Sequence, residues 1–268
     1  MRISEQRSAG GPGTLGHEFF FTTPALRLRL DLVRDYVQAD EAPVLVSGES
    51  GSGKSAFLDQ IVCRADSCWR LVRIPAVASF TPFEIVSFIN TELRLPVGDS
   101  MDRMIEELDE FLARVAMRGR IAVIVVDDAH RLAEDALVEL VSLGRRLACG
   151  NLRLLMTALP ELRCRLTALF AGTRAPMRPH VITIPSLDKR EVASYIDMKL
   201  YHAGVDDWRP FSRSIIDDIA HGSRGHPGRI DAMTDEILSN DRGRANARWT
   251  PGCLRRLLSQ LSGLSAPR

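Results

Sequence analysis

Eight consecutive residues, Gly48-Glu49-Ser50-Gly51-Ser52-Gly53-Lys54-Ser55, have the types and spacing to hold phosphate. Glycines in this pattern let the backbone fold so that successive N–H groups converge on an anion. A helix that begins at the loop's end adds the partial positive charge of its N-terminus. Lys54 would then reach the β and γ phosphates of a nucleotide, and Ser55 would offer its hydroxyl to Mg²⁺. A second group, Asp127-Asp128, closes the apolar run Ile121 to Val126. A carboxylate at the end of so apolar a segment needs a strong partner, and a magnesium ion shared with Ser55 supplies one for Asp127.

The elements around these residues must place them together. Val44 to Ser47 reads as a short strand feeding the Gly-rich loop, and a helix follows to about Cys63. Leu71 to Ile74 is a second strand. Thr81-Pro82-Phe83-Glu84 carries a capping threonine, proline at the first helical position and glutamate at the third, so a helix starts there and runs to Leu93. Met104, Ile105, Leu108, Phe111, Leu112 and Val115 mark one side of another helix, Met101 to Met117. The run Ile121 to Val126 suits a strand covered on both faces, and it is expected at the centre of the sheet. Leu137 to Ala148 is expected as helix, Leu152 to Met156 as strand, Pro160 to Phe170 as helix and His180 to Ile184 as the fifth strand. Strands alternating with helices define an α/β fold with a largely parallel sheet.

After Pro185 only helical signals remain. Asp188 with Glu191 forms a capping box for a helix through Tyr201. Ser212 or Ser214 caps a second helix with Ile215, Ile216 and Ile219, and Pro227 opens a third with Ile230, Met233 and Ile237. The expected organisation is a disordered segment 1–16, a nucleotide-binding domain 17–185, a helical lid 186–262 and a flexible tail 263–268.

Composition narrows the function classes. Lysine plus arginine (35) nearly balances aspartate plus glutamate (34), so binding to nucleic acid or a membrane surface would have to come from a local patch. The five cysteines lack paired short spacings, which argues against a zinc site or a disulfide framework and for a reducing compartment. No apolar run approaches the eighteen or so residues that span a bilayer, and the first sixteen residues lack the apolar core of a secretory signal. The expectation is a cytoplasmic protein, with the inner-membrane surface as a peripheral site.

Four segments together resemble a known family. Gly48 to Ser55, Val125-Val126-Asp127-Asp128-Ala129-His130, Ile182 to Ile196 and Ser223-Arg224-Gly225-His226-Pro227-Gly228-Arg229-Ile230 look like the AAA+ ATPases of the ExeA/GspA secretion and DamX cell-division group. The resemblance implies a five-stranded parallel AAA+ sheet with helices on both faces and a small C-terminal helical lid. It also implies Mg-ATP as ligand, homo-oligomers on ATP binding, and an ATPase that drives or switches a partner complex of the cell envelope, of secretion or of cell division.

Residue roles follow from the resemblance position by position. Asp128 stands where most relatives have the glutamate that polarises the attacking water; its carboxylate is one methylene, about 1.5 Å, shorter in reach, a displacement that can cost on the order of 100-fold. Thr157 falls at the sensor 1 position. Gly228 occupies the place of the sensor 2 arginine, and Arg229 comes one residue later, about 100° around the helix. Arg174 and Arg178 lie where the family's arginine finger is found, each equally readable as a solvated loop residue. Phe20 and Phe21 could pack near the adenine, with core packing the simpler account. His130 follows the paired aspartates, where the family's His or Gln senses nucleotide state.

Beyond residue 241 the tail carries arginines at 242, 244, 248, 255, 256 and 268, a charge suited to DNA phosphates or an anionic membrane surface. Leu254, Leu257, Leu258 and Leu261 follow helical spacing, so a docked lid helix with solvated arginines is the simpler account. Three functions compete: an ATPase acting on a protein partner, a nucleotide-binding scaffold with negligible turnover, and a DNA-associated AAA+ regulator of the transposition type.

Overall fold

The computed structural model describes residues 20–39, 42–147, 150–170, 178–202 and 211–241. In chain order the elements are α1 (Pro24–Ala39), β1 (Val44–Ser47), α2 (Lys54–Cys63), β2 (Trp69–Ile74), α3 (Pro82–Leu93), α4 (Met101–Met117), β3 (Ile121–Val126) and a 3₁₀ turn (Ala129–Arg131). They continue with α5 (Glu134–Arg146), β4 (Leu152–Ala158), α6 (Glu161–Phe170), β5 (His180–Thr183), α7 (Lys189–His202), α8 (Arg213–Ser223) and α9 (Pro227–Asp241).

All five strands pair in parallel, in the order β2-β3-β4-β1-β5. Alternate residues of each strand face opposite layers, as the two-residue period of a strand requires. Leu45, Ala122, Ile124, Val126, Leu154 and Met156 pack with the buried sides of α3, α4, α5 and α6. Val44, Val46, Val123, Val125 and Leu155 pack with α1 and α2 on the other side. A third cluster joins α7, α8 and α9 through Val192, Tyr195, Ile196, Ile215, Ile219, Ile230 and Met233. Among the described residues no helix is long and apolar enough to cross a membrane.

Several boundaries coincide with the sequence reading. The capping box at Thr81 forms on both sides: Glu84 N–H donates to the threonine hydroxyl at 3.3 Å, and Thr81 N–H donates to the glutamate carboxylate at 2.8 Å. At the start of α7, Asp188 N–H donates to Glu191 at 2.9 Å while Arg190 and Glu191 donate to Asp188 at 2.8 Å.

Three readings are corrected. β3 is not the central strand; β4 is, with β3 and β1 on either side. A continuous apolar run reports two covered faces, which any interior strand of a two-layered sheet has, and does not report lateral place. α5 begins at Glu134, three residues before Leu137, because the first turn is acidic and solvated and carries no apolar periodicity. β4 runs to Ala158, so Thr157 lies inside the strand and is fully buried.

Helix α1 has no counterpart in the sequence reading. Its segment Leu26-Arg27-Leu28-Arg29-Leu30 alternates with the period of a strand, yet the buried set is Leu26, Leu30, Val33 and Val37 at helical spacing, and Leu28 is 59% exposed. Each of the four buried side chains contributes about 1.5–3 kcal/mol of apolar burial against the face that also carries α2. The tail beyond residue 241 and the expected helix over Leu254 to Leu261 lie outside the described residues, as does residue 174.

Candidate functional site

The C-terminal ends of parallel strands collect the loops of an α/β sheet, and a crevice there is the usual ligand site. The loop after β1 folds at this edge, tied to β4 by Gly48 N–H donating to the Ala158 carbonyl at 3.2 Å. Gly51 and Gly53 adopt φ of 77° and 91°, values that side-chain-bearing residues rarely take, so the loop's path depends on glycine at both places. Gly48 is required for a different reason: a Cβ there would lie 2.5 Å from the Ser52 hydroxyl oxygen. The loop ends at the first turn of α2, where Gly53 is the residue before Lys54.

Lys54 is 7% exposed, and its ammonium donates to the carbonyls of Gly48 and Glu49, each at 2.9 Å. An ammonium has three protons, so one remains for a phosphate in front of the loop. Burial pushes Lys54 below the ordinary lysine range, opposed by the charges of Asp128, Asp127, Glu49 and Glu161. Four carboxylates therefore act on the lysine: Glu49 from its own loop, Asp127 and Asp128 from the end of β3, and Glu161 from the start of α6. Ser55, beside it, is exposed.

The two aspartates at the end of β3 are held by Thr157 of β4. The buried threonine hydroxyl accepts the Asp128 N–H at 2.9 Å and donates to Oδ1 of Asp127. The neighbouring strands bring these residues level, since Val126 pairs with Met156. One side chain thus fixes both the turn that carries Asp128 and the carboxylate of Asp127. Asp128 itself sits at φ 54°, ψ 42°, a left-handed position that Asp tolerates better than most residues. Nδ1 of His130 lies 3.9 Å from Oδ1 of Asp128, and burial lowers the histidine's proton affinity. Arg165 of α6 donates to the His130 carbonyl at 3.2 Å and pins the 3₁₀ turn.

Three residues at this edge have no role in the sequence reading, although His226 stands inside the segment Ser223 to Ile230. Arg73 of β2 donates to Asp59 of α2 at 2.8 Å and lies 3.8 Å from Oδ2 of Asp127. Glu161 opens α6 just past the end of β4 and is among the charges acting on Lys54 and His130. His226 precedes α9, in the turn that packs on the same loop through Gly228 and Pro227. A charged residue next to the end of a strand, as in β2, is the sequence hint for Arg73, and its place in the Ser223–Ile230 segment is the hint for His226.

The helical unit α7–α9 reaches the loop directly. Gly228 N–H, in the first turn of α9, donates to the Gly51 carbonyl at 2.8 Å. A Cβ on Gly228 would stand 3.0 Å from the Gly51 Cα. At the position where the resemblance expects an arginine, a side chain would therefore crowd the loop backbone, and Arg229 stands half-buried beside it. Arg178 is exposed just ahead of β5, whose register places His180 opposite Val44. That is the start of β1, the sheet edge opposite the Gly-rich loop, so Arg178 lies far from its own chain's loop. Phe20 packs against the α1–α2 layer and Phe21 against Tyr195 of α7, ring centroids 5.6 Å apart.

Magnesium needs oxygen donors in an open octahedral site. Among the described residues no three His, Cys, Asp or Glu side chains form a metal cage. One carboxylate (Asp127) and one exposed hydroxyl (Ser55), with the remaining positions left to water and phosphate oxygens, is the kind of incomplete oxygen site that Mg²⁺ accepts. The residues present fit the ion.

Loop, paired aspartates and parallel sheet define a P-loop NTPase of the AAA+ fold. Residues 37–166 match the family model described as AAA domain. The structure is similar to Cdc6p from Pyrobaculum aerophilum, at 20% identity and TM-score 0.60, covering 82% of this chain and 63% of that one. It is also similar to a Walker-type ATPase of Pyrococcus abyssi, at 16% identity and TM-score 0.62, covering 95% of this chain and 75% of that one. A third is the Orc1 protein of Aeropyrum pernix in complex with DNA, at 17% identity and TM-score 0.56, covering 88% and 64%. The chain spans less than two thirds of the Cdc6p and Orc1 chains. No curated protein matches it in sequence.

Proposed function

We propose that this chain binds Mg-ATP in the Gly48–Ser55 loop and hydrolyses it, and that the resulting cycle moves the α7–α9 lid to act on a partner protein. The observation that carries the reading is the Thr157 bridge, which holds Asp127 and Asp128 together at the sheet edge where their charges act on Lys54. Asp127 and Ser55 would hold the ion, and a bound magnesium would offset charge on the phosphates. Lys54 would bind the β and γ phosphates with its remaining N–H. Asp128 would orient the water that attacks the γ phosphate, accepting its proton, with Thr157 fixing the turn from which Asp128 projects. Arg174 or Arg178, from a neighbouring copy, would add positive charge at the γ phosphate. For Arg178, its place at the opposite sheet edge favours such a role in trans.

The segments Ile182 to Ile196 and Ser223 to Ile230 support placement in the ExeA/GspA and DamX-like branch, and with it homo-oligomers on ATP binding. DNA is the second reading. It is favoured by the arginine-rich sequence after residue 241 and by likeness in fold to Orc1, whose solved structure contains DNA. ATP turnover by wild type and Lys54→Ala, with and without DNA at low salt, separates the readings. Loss of turnover in the variant supports the ATPase. Stimulation by DNA in wild type would favour the second reading, and no binding and no stimulation would remove it.

A further inference from the structure

The Gly228 contact leaves the lid without its expected phosphate-facing side chain, and the question is what takes that place. The turn between α8 and α9 is held from both ends. Gly225, at φ 72°, accepts the Leu187 N–H at 2.9 Å and packs so closely that a Cβ would lie 2.1 Å from the Leu187 carbonyl oxygen. Its own N–H donates to the Ser223 hydroxyl at 3.2 Å, and His226 N–H donates to the Ser223 carbonyl at 3.1 Å. On the far side, Pro227 stands 3.8 Å from where a Gly53 Cβ would be, and Gly228 is bonded to Gly51. The residue before a proline has few backbone choices, so His226 projects from a fixed turn pressed onto the phosphate loop.

One nitrogen of the imidazole is left unmet there. Its Nδ1 is buried and makes no hydrogen bond among the described residues. Such an atom is uncommon in a folded protein and costs about 1–3 kcal/mol if left unmet. The charges acting on His226 are Lys54 and Glu49 from the loop, and Arg224 and Arg229 from its own turn and helix. With three cations against one carboxylate, this point of the turn favours an anion.

We propose that His226 is a nucleotide-binding residue whose Nδ1–H donates to the polyphosphate chain held in the Gly48–Ser55 loop, in place of the arginine that Gly228 has displaced. The proposal rests on the Mg-ATP reading above. A neutral imidazole serves as a donor without carrying charge, and burial together with the three neighbouring cations keeps it neutral. The second partner that phosphate would find beyond the loop amides is thus supplied by the lid, which couples lid position to an occupied loop.

The test uses the full chain and competition against a fluorescent ATP analogue, with ATP and inorganic tripolyphosphate as competitors. His226→Ala is expected to weaken both by about 10-fold, the value of one hydrogen bond to a charged group. His226→Asn, which carries an amide N–H near the Nδ1 position, is expected to recover most of the loss. His226→Phe, which keeps the ring's bulk without a donor, is expected to match Ala and guards against a loss caused by collapse of the turn. Unchanged binding in Ala and Phe would overturn the proposal and assign the nitrogen to water. Weakened ATP with unchanged tripolyphosphate would overturn it in favour of a base or sugar contact. Lys54→Ala is the separate control: if it binds both competitors as wild type does, the underlying phosphate-loop reading fails whatever His226 shows.

Discussion

Thr157→Val removes a single oxygen from the fully buried strand β4 while keeping its shape. The lost hydroxyl makes two bonds: it donates to the Asp127 carboxylate and accepts the Asp128 N–H at 2.9 Å. A hydrogen bond to a charged group is worth about 1.5–3 kcal/mol, and the orphaned amide adds about 0.5–1 kcal/mol because the Asp128 turn is partly open to water. The expected loss is about 2–4 kcal/mol. At the roughly 2–4 °C per kcal/mol typical of domains of this size, the melting temperature falls by about 5–15 °C. Turnover should fall more than stability implies, since both carboxylates lose their common support, and Mg²⁺ should be required at higher concentration. Thr157→Ser keeps the hydroxyl and should retain both the magnesium requirement and most of the melting temperature. The assays are thermal unfolding by circular dichroism and ATP turnover against Mg²⁺ concentration. A Val variant that melts within about 2 °C of wild type with an unchanged magnesium requirement would refute the bridging role.

Other outcomes follow from the same geometry. Asp128→Glu adds the methylene that brings the carboxylate forward by about 1.5 Å and should raise turnover by up to about 100-fold at unchanged ATP affinity; a fall in turnover would show that the left-handed turn at Asp128 already places the shorter side chain correctly. Gly228→Ala puts a Cβ 3.0 Å from Gly51 Cα, so lid and loop must separate at a cost of about 1–3 kcal/mol; nucleotide affinity should drop several-fold, and an unchanged affinity would mean that the contact opens on binding. Acid should weaken the fold through His226, whose proton affinity is lowered by burial and then by Arg229, with Arg224 and Lys54 adding and Glu49 opposing. Below about pH 6.5 the unfolded imidazole takes a proton that the folded one resists, so stability present above that pH is lost as the pH falls. Melting temperature should therefore drop more steeply between pH 7.5 and 5.5 in wild type than in His226→Asn; parallel curves would contradict this.

Much of this architecture is legible in the sequence because local chemistry decides it. The Thr81 capping box, the proline at 82, and the strand-loop-helix at Val44 to Cys63 each specify an element without help from distant residues. Helix α1 is illegible for a stated reason: arginines interleaved with Leu26, Leu28 and Leu30 copy a strand's period, and only packing on α2 and the sheet selects the helical face. The site divides the same way. Lys54 and Asp127 are visible as motif residues, whereas Arg73, Glu161 and His226 join the site through strand order and lid docking, which no short spacing records. Position 228 shows the limit most clearly, since a missing arginine reads in sequence as a shifted register and in the fold as a close backbone contact with Gly51 that a side chain would crowd.

ATP turnover and analogue binding by wild type and Lys54→Ala, with mass measured in parallel, test the central claim. The account predicts saturable Mg-ATP binding and turnover in wild type, both lost in the variant, with assembly that depends on ATP. Binding that survives Lys54→Ala would contradict it, because the ammonium that is bonded to the Gly-rich loop, and on which both aspartates act, would then have no part in holding phosphate.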